Sequence, residues 1–523
     1  MEISKFQNSI DKPKVCLLRL PMVVTRWDNF HSTTPPLGLA YVAGSLINAG
    51  YDVRALDALG EAPLQKKNLE DAKYVSYGLT PKQIVQRLAY EKFNVIFLSI
   101  MFSLEWPMAK SIIRTVKKVY PNVLLVCGGE HISSCPEFCL EDCSEIDICV
   151  VGEGEETSIN LLQAIEQKQS LDKVNGIVYR SENTIKKNPA KARISQLDNI
   201  PRPAWELFPL ENYLSNNLGY GIKPGRSMPM LISRGCPYQC TFCSSPQMWT
   251  TKWQARNVDC VIEEMQFYID KFGATNFDLY DLTAIVRKDW IKDFCQKVIK
   301  KNWNIAWQMP AGTRSEALDD ETLELLHLSG QQHIVYAPES GSEEVLRRIK
   351  KKIKLDRMKI SIKSAIRKKM YVKCSLMIGF PDETHKNVWQ TLKFTKDLAL
   401  IGANDIYIAS FSPYPGSELF DQLRKSGKIP KLNDEYFLGL ISYSNFFKSI
   451  SYSQHVSNRM LAFYRIFGML LFYVVSFSVR PKRLFRLVTN VFKGREEGRM
   501  DKALIDILDR FKRSKKDETR DIP

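Results

Sequence analysis

The chain has 523 residues, too many for one hydrophobic core, so two or three domains are expected. Hydrophobic residues make up 44% and charged residues 25%, an ordinary globular balance that leaves disorder only to the polar tail at 510–523. Lys and Arg total 74 against 58 Asp and Glu, a net charge of +16 concentrated in late runs such as 347–352 (RRIKKK), 480–486 (RPKRLFR) and 510–516 (RFKRSKK). A solvated face or an anionic membrane surface accounts for such runs at least as well as nucleic acid does, and no nucleic-acid partner is expected.

The opening MEISKFQNSIDKPK has no apolar run of the kind a secretory signal needs, so a cytoplasmic, reducing location is expected. There the 12 cysteines are buried thiols or ligands. Between 14 and 180, short apolar runs alternate with helical spacing. VCLLRL (15–20), VRAL (53–56), VIFLSI (95–100), VLLVCGG (123–129) and ICVVGEG (148–154) read as buried strands, with helices at 37–49, 81–91, 107–119 and 155–166. This α/β alternation predicts a doubly wound, Rossmann-like parallel sheet over 1–180, which takes ligands at the carboxyl ends of its strands. Cys127, Cys135, Cys139, Cys143 and Cys149 straddle a strand, a loop and a helix there, and read as buried thiols. Residues 181–225 are Pro-rich and weakly periodic, a linker pattern.

From 226 to 430 the alternation has a longer period. Strands are predicted at 229–233, 275–280, 304–309, 332–337, 371–378 and 405–411, with helices near 257–272, 288–302, 319–329, 355–369 and 385–401. Six strands fall short of the eight of a closed barrel, so a partial (β/α)6 barrel is expected. The region 431–523 is predicted to be mainly helical with a basic tail. Its apolar stretch 459–479 has an uninterrupted run, 466–479, too short to span a bilayer. It reads as a buried core helix or as a membrane-surface helix flanked by Arg465 and RPKRLFR.

After the first barrel strand comes SRGCPYQCTFCSS (233–245), which sets Cys236, Cys240 and Cys243 at C-x3-C-x2-C spacing. Three thiolates on one loop suit an iron–sulfur cluster or zinc. Structural zinc needs a fourth ligand, yet Cys260 and Cys295 fall in helical patterns and no His lies between 132 and 326. Three ligands on a four-iron cube leave one iron open to substrate or cofactor.

This loop, with Phe242 before its last Cys, resembles the signature of the radical S-adenosylmethionine superfamily. The resemblance implies that Cys236, Cys240 and Cys243 hold a [4Fe–4S] cluster, whose open iron chelates S-adenosylmethionine. It further implies an enzyme that generates a 5′-deoxyadenosyl radical to abstract hydrogen from substrate. Arg314 in AGTRSEALDDETLELLHLSG (311–330), and Glu339 and Ser340 in YAPESGSEEVL (336–346), fall where cofactor contacts are implied, as does Phe242. Ser340 could equally cap the next helix. MIGFPDETHKNV (377–388) and FSPYPGSELF (411–420) are similar to turns after the fifth and sixth strands.

Upstream, the segments 33–57, 98–118, 123–137 and 150–157 are similar to the cobalamin-binding branch of that superfamily, extending the resemblance over roughly 14–425. In that branch Gly-rich turns let the nucleotide tail of the corrin approach the backbone. The implied cobalamin contacts are Gly128, Gly129, Glu130, His131, Gly152, Glu153, Gly154, Ser99 and Ser103, with Trp106 near the cobalt face. Many cobalamin proteins carry D-x-H-x-x-G, but this chain reads DALGEA (57–62), so cobalt is not expected to be His-ligated. His131 is expected as a loop or nucleotide-tail contact.

The implied activity is methyl transfer from cobalamin to an unactivated carbon of a small or lipid-like substrate, with an electron donor such as a flavodoxin or ferredoxin. Peripheral membrane contact would fall to the C-terminal region. Ring formation or rearrangement is the alternative within the branch. A methylthiotransferase acting on RNA or protein would need a second upstream cluster, which the spacing of Cys16, Cys127, Cys135, Cys139, Cys143 and Cys149 does not resemble. A non-catalytic binding protein is the remaining class. No residue is marked by spacing as a general base.

Overall fold

The computed structural model describes residues 12–26, 33–69, 73–181, 184–216, 218–221, 225–314, 316–429, 431–443 and 449–495, then 498, 500–505 and 508. Most of the N-terminal segment read for a signal, and the basic tail at 510–516, lie outside the described residues.

The N-terminal strands are β1 (Val15–Arg19), β2 (Met22–Thr25), β3 (Val53–Asp57), β4 (Lys66–Asn68), β5 (Tyr74–Tyr77), β6 (Val95–Ser99), β7 (Leu124–Gly128), β8 (Ile148–Val150), β9 (Ile177–Ser181) and β10 (Thr184–Lys187). One sheet has the order β10-β9-β8-β7-β6-β1-β3, parallel from β8 to β3 and finished by an antiparallel hairpin. Both faces are covered, which explains the continuous apolar runs. Val15 and Leu17 of β1 pack with Leu39 and Leu161 of the helices Leu37–Asn48 and Gly154–Glu166. Cys16 and Leu18 pack with Ile84 and Ile112 of the helices Pro81–Leu88 and Trp106–Val119 on the other face. Because β1 lies between β3 and β6, the chain reverses direction across the sheet there, opening a crevice at the carboxyl ends. Strands β2, β5 and β4 form a separate antiparallel ribbon of three or four residues each, too short to show a periodicity.

Two expectations need correcting. The sheet runs on to Lys187, so the expected boundary at 180 falls inside β9. Nor is 181–225 a loose linker: Trp205, Phe208, Leu210, Tyr213 and Leu214 are buried, and Trp205 Nε1 donates to Tyr268 OH at 3.2 Å. Proline removes periodicity but leaves aromatic side chains free to bury, which is why the segment passes for a linker.

The barrel strands are β11 (Ser227–Met230), β12 (Ser233–Arg234), β13 (Gln254–Ala255), β14 (Asn276–Leu279), β15 (Ala306–Gln308), β16 (His333–Glu339), β17 (Tyr371–Ile378) and β18 (Asp405–Ser410). β11-β14-β15 and β16-β17-β18 are parallel triplets joined by one bridge, Thr313 to Tyr336, so six strands form the open barrel. Burial alternates strictly along β17. Val372, Cys374, Leu376 and Ile378 are buried in the helix-facing core, while Tyr371, Lys373, Ser375 and Met377 are only half-covered. Helix Val258–Phe272 starts on an Asn257 cap and stops at Gly273 (φ +61°). Helix His385–Ile401 starts on a Thr384/Asn387 capping box.

The C-terminal helix Asn458–Val479 packs one face along helix His385–Ile401 and β18, burying Leu461, Tyr464, Arg465, Gly468 and Phe472. Arg465 is fully buried, and its guanidinium donates to Ile408 O (3.2 Å) and Ser449 Oγ (2.8 Å). The core reading therefore holds for this face alone.

Candidate active site at the joint of the two domains

The cysteine loop is bracketed by the β12–β13 pairing, with Ser233 opposite Ala255 and Arg234 opposite Gln254. Asp281, buried just past β14, fixes its start by accepting from the Ser233 amide and hydroxyl and from the Ile232 amide. Burial pushes the Asp281 carboxyl up to about 6. Gly235 (φ +88°) must be glycine, because a Cβ would collide with the Lys252 carbonyl. Within the loop the Cys243 amide donates to Cys240 O at 3.1 Å. Thr241 N donates to Ile349 O and Leu419 N to Thr241 O, tying the loop to two further elements. Cys236, Cys240 and Cys243 are half-buried. Burial pushes the thiols of Cys236 and Cys240 up, and Lys351 and Arg314 oppose it.

Those cations are held in place. The Arg314 guanidinium lies 3.5 Å from the centroid of the Tyr238 ring, inside the cysteine loop, and pairs with Glu316 at 2.8 Å. Lys351 Nζ meets Glu339 Oε1 at 2.9 Å, both groups buried. Glu339 sits at φ +63°, where β16 shifts register against β17, a strained position for a residue with a Cβ. The sequence reading did not single out Lys351 or Tyr238. Ser340 is fully buried, bonded to Thr391 Oγ1 at 3.0 Å and accepting from Ser342 N at 3.1 Å. It locks the turn from within, and Ser342 takes the N-cap position.

Phe242 begins an aromatic wall. Its ring lies 6.0 Å from Phe380, which lies 5.2 Å from Phe411, which in turn meets Tyr452 of the C-terminal region at 6.0 Å. Beside it Glu383 is buried, Oε2 accepting from the amides of Gly379 and Phe380, and burial pushes its carboxyl up to about 7. Glu383 Oε1 and the hydroxyls of Thr241, Thr283 and Ser412 are buried without a protein partner.

Upstream, Asp57, Arg19, Ser99 and Gly128 form one row across the carboxyl ends of β3, β1, β6 and β7. Gly129 (φ +106°) is required, since a Cβ would sit 2.5 Å from Ile100 O. Gly152 (φ +83°) faces open space, its amide donating to Ser133 Oγ at 3.0 Å. Gly154 opens helix Gly154–Glu166 against Val42. His131 is not on an edge. It is buried between Trp106 and Phe437, with Nδ1 2.9 Å from Ser103 Oγ and Nε2 3.6 Å from Cys139 Sγ. Ser103, Trp106 and His131 therefore belong to one interior cluster.

The DALGEA turn holds a network that the sequence did not announce. Arg19 donates to Tyr213 OH (2.8 Å), Tyr213 OH to Asp57 Oδ2 (2.7 Å), and Gly60 N to Asp57 Oδ1 (2.8 Å). Leu59, two positions after Asp57, is buried. Glu105 lies within the electrostatic reach of Arg19, and burial pushes its carboxyl up to about 8.

The two halves meet through acids assigned above to cobalamin. Glu153 Oε1 accepts from Arg234 (3.1 Å) and Arg193 (3.5 Å), and its Oε2 from Ile194 N (2.7 Å). Arg234 also pairs with Glu155, all three side chains buried. Glu130 Oε1 accepts from Ser244 Oγ at 2.9 Å, next to Cys243. Thr34 Oγ1 bonds Tyr280 OH at 2.8 Å across the same joint.

Comparison with known proteins agrees with this layout. A B12 binding domain model matches residues 25–162 and a Radical SAM superfamily model residues 230–395. The chain is 28% identical over 450 residues to cytidylyl-2-hydroxyethylphosphonate methyltransferase of Streptomyces wedmorensis, covering 80% of this chain and 82% of that protein. It is 25% identical over 407 residues to anaerobic magnesium-protoporphyrin IX monomethyl ester cyclase of Rubrivivax gelatinosus, covering 76% and 68%. The radical S-adenosylmethionine methyltransferase TsrM of Kitasatospora setae, solved with cobalamin and a [4Fe-4S] cluster, shares the fold at a TM-score of 0.63 and 14% identity, over 79% of this chain and 75% of that one. With a B12 domain and a radical SAM domain in that order, joined as described, the protein belongs to the cobalamin-binding branch of the radical S-adenosylmethionine superfamily.

Proposed function

We propose that this protein transfers a methyl group to an unactivated carbon of a small or lipid-like substrate, using a [4Fe–4S] cluster, S-adenosylmethionine and cobalamin. The observation that carries the reading is the Glu130–Ser244 contact, which sets the glycine turn of one domain against the cysteine loop of the other.

The residues fit each group. Cys236, Cys240 and Cys243 offer three thiolates on one loop, the donor set of a cluster with one open iron. Arg314 and Lys351, each held by a glutamate, bring cationic donors to the cysteine loop that suit a bound carboxylate. The unpartnered hydroxyls of Thr241, Thr283 and Ser412, with Glu383 Oε1, await a polar ligand. Gly152 provides the open backbone that a bulky cofactor tail needs. Leu59, buried, stands at the position where other cobalamin proteins carry their ligating His, beside the Arg19–Tyr213–Asp57 network, in keeping with cobalt that takes no His from this turn.

When bound, these groups supply radical hydrogen abstraction and a methyl donor, with electrons from a donor such as a flavodoxin or ferredoxin. The chain's own part is to hold and to dry the site. Glu339 and Arg314 orient polar ligand groups above the loop, while the Phe242–Phe380–Phe411–Tyr452 wall excludes water from the reacting carbon. The cyclase among the relatives supports ring formation as a second reading of the same site.

Anaerobic purification with hydroxocobalamin tests this. The expected result is about four iron atoms and about one cobalt per chain, with reductive cleavage of S-adenosylmethionine that falls to background in Cys240→Ala. Iron without cobalt removes the methyl-transfer reading, about eight iron atoms point to a second cluster, and absent cleavage after reconstitution returns the chain to a binding role.

A further inference from the structure

Helix Pro481–Phe492 is oriented the reverse of an ordinary surface helix. At 100° per residue Leu484, Phe485, Val488 and Phe492 share one face, and that face is the one turned to solvent. Phe485 is 79% and Phe492 87% exposed. The residues that fasten the junction to the barrel are arginines. Arg480 donates to Ala399 O and Leu400 O (both 3.0 Å), and Arg483 to Gly402 O (2.7 Å) and Ala403 O (2.8 Å). Ala399 and Leu400 lie in the last turn of helix His385–Ile401 and Gly402 and Ala403 follow it, so the guanidinium charge also meets the negative end of its dipole. Polar side chains hold the helix, and its apolar face is left for another apolar phase.

The neighbouring helix also turns apolar side chains to solvent. Along Asn458–Val479, Phe463, Leu470 and Val474 are 51%, 59% and 62% exposed, with Phe467 half-buried in the same stripe. Exposed Trp389 lies 5.9 Å from Phe467, an amphipathic ring at the edge of the patch. Exposed Lys386, Lys393 and Lys396 flank it on one side, and Lys482 and Lys493 lie off the apolar face of the other helix. A recess of about 220 Å³ beneath the junction carries Lys369, Arg483 and Arg486 against Asp501. It lies by Tyr371 and Asn404 at the amino-terminal ends of β17 and β18, away from the cysteine loop.

We infer that helix Pro481–Phe492, with the exposed apolar side chains of helix Asn458–Val479, docks the protein in the plane of a bilayer rich in anionic phospholipid, with Phe485 and Phe492 inserted and the lysines on headgroup phosphates. The lysine rim selects this occupant over a second copy of the chain, because the same positive charges would meet across a two-fold contact. A buried Arg465 and the core packing of Leu461 and Phe472 keep helix Asn458–Val479 lying on the membrane and not through it. This goes beyond the methyl-transfer reading and does not depend on it.

Co-sedimentation of the full chain with phosphatidylglycerol–phosphatidylcholine vesicles, against phosphatidylcholine alone, tests the inference. The expected result is at least tenfold tighter binding to the anionic vesicles. The double variant Phe485→Asp, Phe492→Asp should lose at least tenfold of it, with unchanged Tm and iron content. Lys482→Glu, Lys493→Glu should weaken binding several-fold while keeping the apolar face. Absence of binding to anionic vesicles, or equal binding by the Asp variant, overturns the inference. So does a lipid-free dimer in light scattering that the Asp variant dissociates, which would make the face a self-interface.

Discussion

The cysteine loop of the barrel is held from outside, whereas the glycine turns of the N-terminal sheet hold themselves. Between Ser233 and Ser245 the loop has little regular structure, and its shape comes from Asp281, Ile349, Leu419 and Glu153 outside it. The turns at Gly129 and Gly152 each end a buried parallel strand, and the left-handed backbone they need is supplied by glycine alone. The side chains beside those glycines are therefore free to reach outward. Glu130 and Glu153 reach across to the loop, so the glycine turns and the cysteine loop share one wall.

Breaking the shared wall should have the largest effect. Arg234→Gln strands Glu155 as a buried charge and weakens Glu153, an expected loss of about 3–5 kcal/mol. Thermal melting would show it as a fall of several degrees in Tm with cluster loading impaired. A melt like that of the parent would mean that the two regions are independent. A smaller effect is expected on one side alone. Gly152→Ala places a Cβ at φ +83°, straining the turn by about 1–2 kcal/mol and lowering cobalamin affinity by roughly tenfold. Cobalt content should drop while iron content stays, and a parallel loss of iron would contradict the self-contained turn.

The smallest effect is a pH dependence. Burial pushes Glu383 from 4.5 up to about 7, so the folded protein keeps a proton that the unfolded chain releases. That contribution is complete below about 4.5 and is lost as pH rises through about 7. Glu383→Gln, neutral throughout, should narrow the difference in Tm between pH 5 and pH 8. An unchanged difference would show that the barrel mouth is wetter than the upstream crevice, where Glu105 is pushed up to about 8.

What sequence alone determined is whatever repeats or lies contiguous along the chain. The six barrel strands were readable because apolar runs alternate with helical spacing, and β17 falls on 371–378 as expected. The cysteine loop was readable because three thiols within eight consecutive residues already state their chemistry. The glycines were readable because a turn after a buried strand announces itself. Tertiary structure decided what each polar side chain does with its charge. Tyr213, from the supposed linker, closes a bond to Asp57 across 156 positions, and Arg234 pairs with Glu153 across 81. His131 sits not at the nucleotide edge but in an interior box with Trp106 and with Phe437 from the C-terminal region. A buried charge takes the partner that packing brings within about 3 Å, and no local pattern encodes which one that will be.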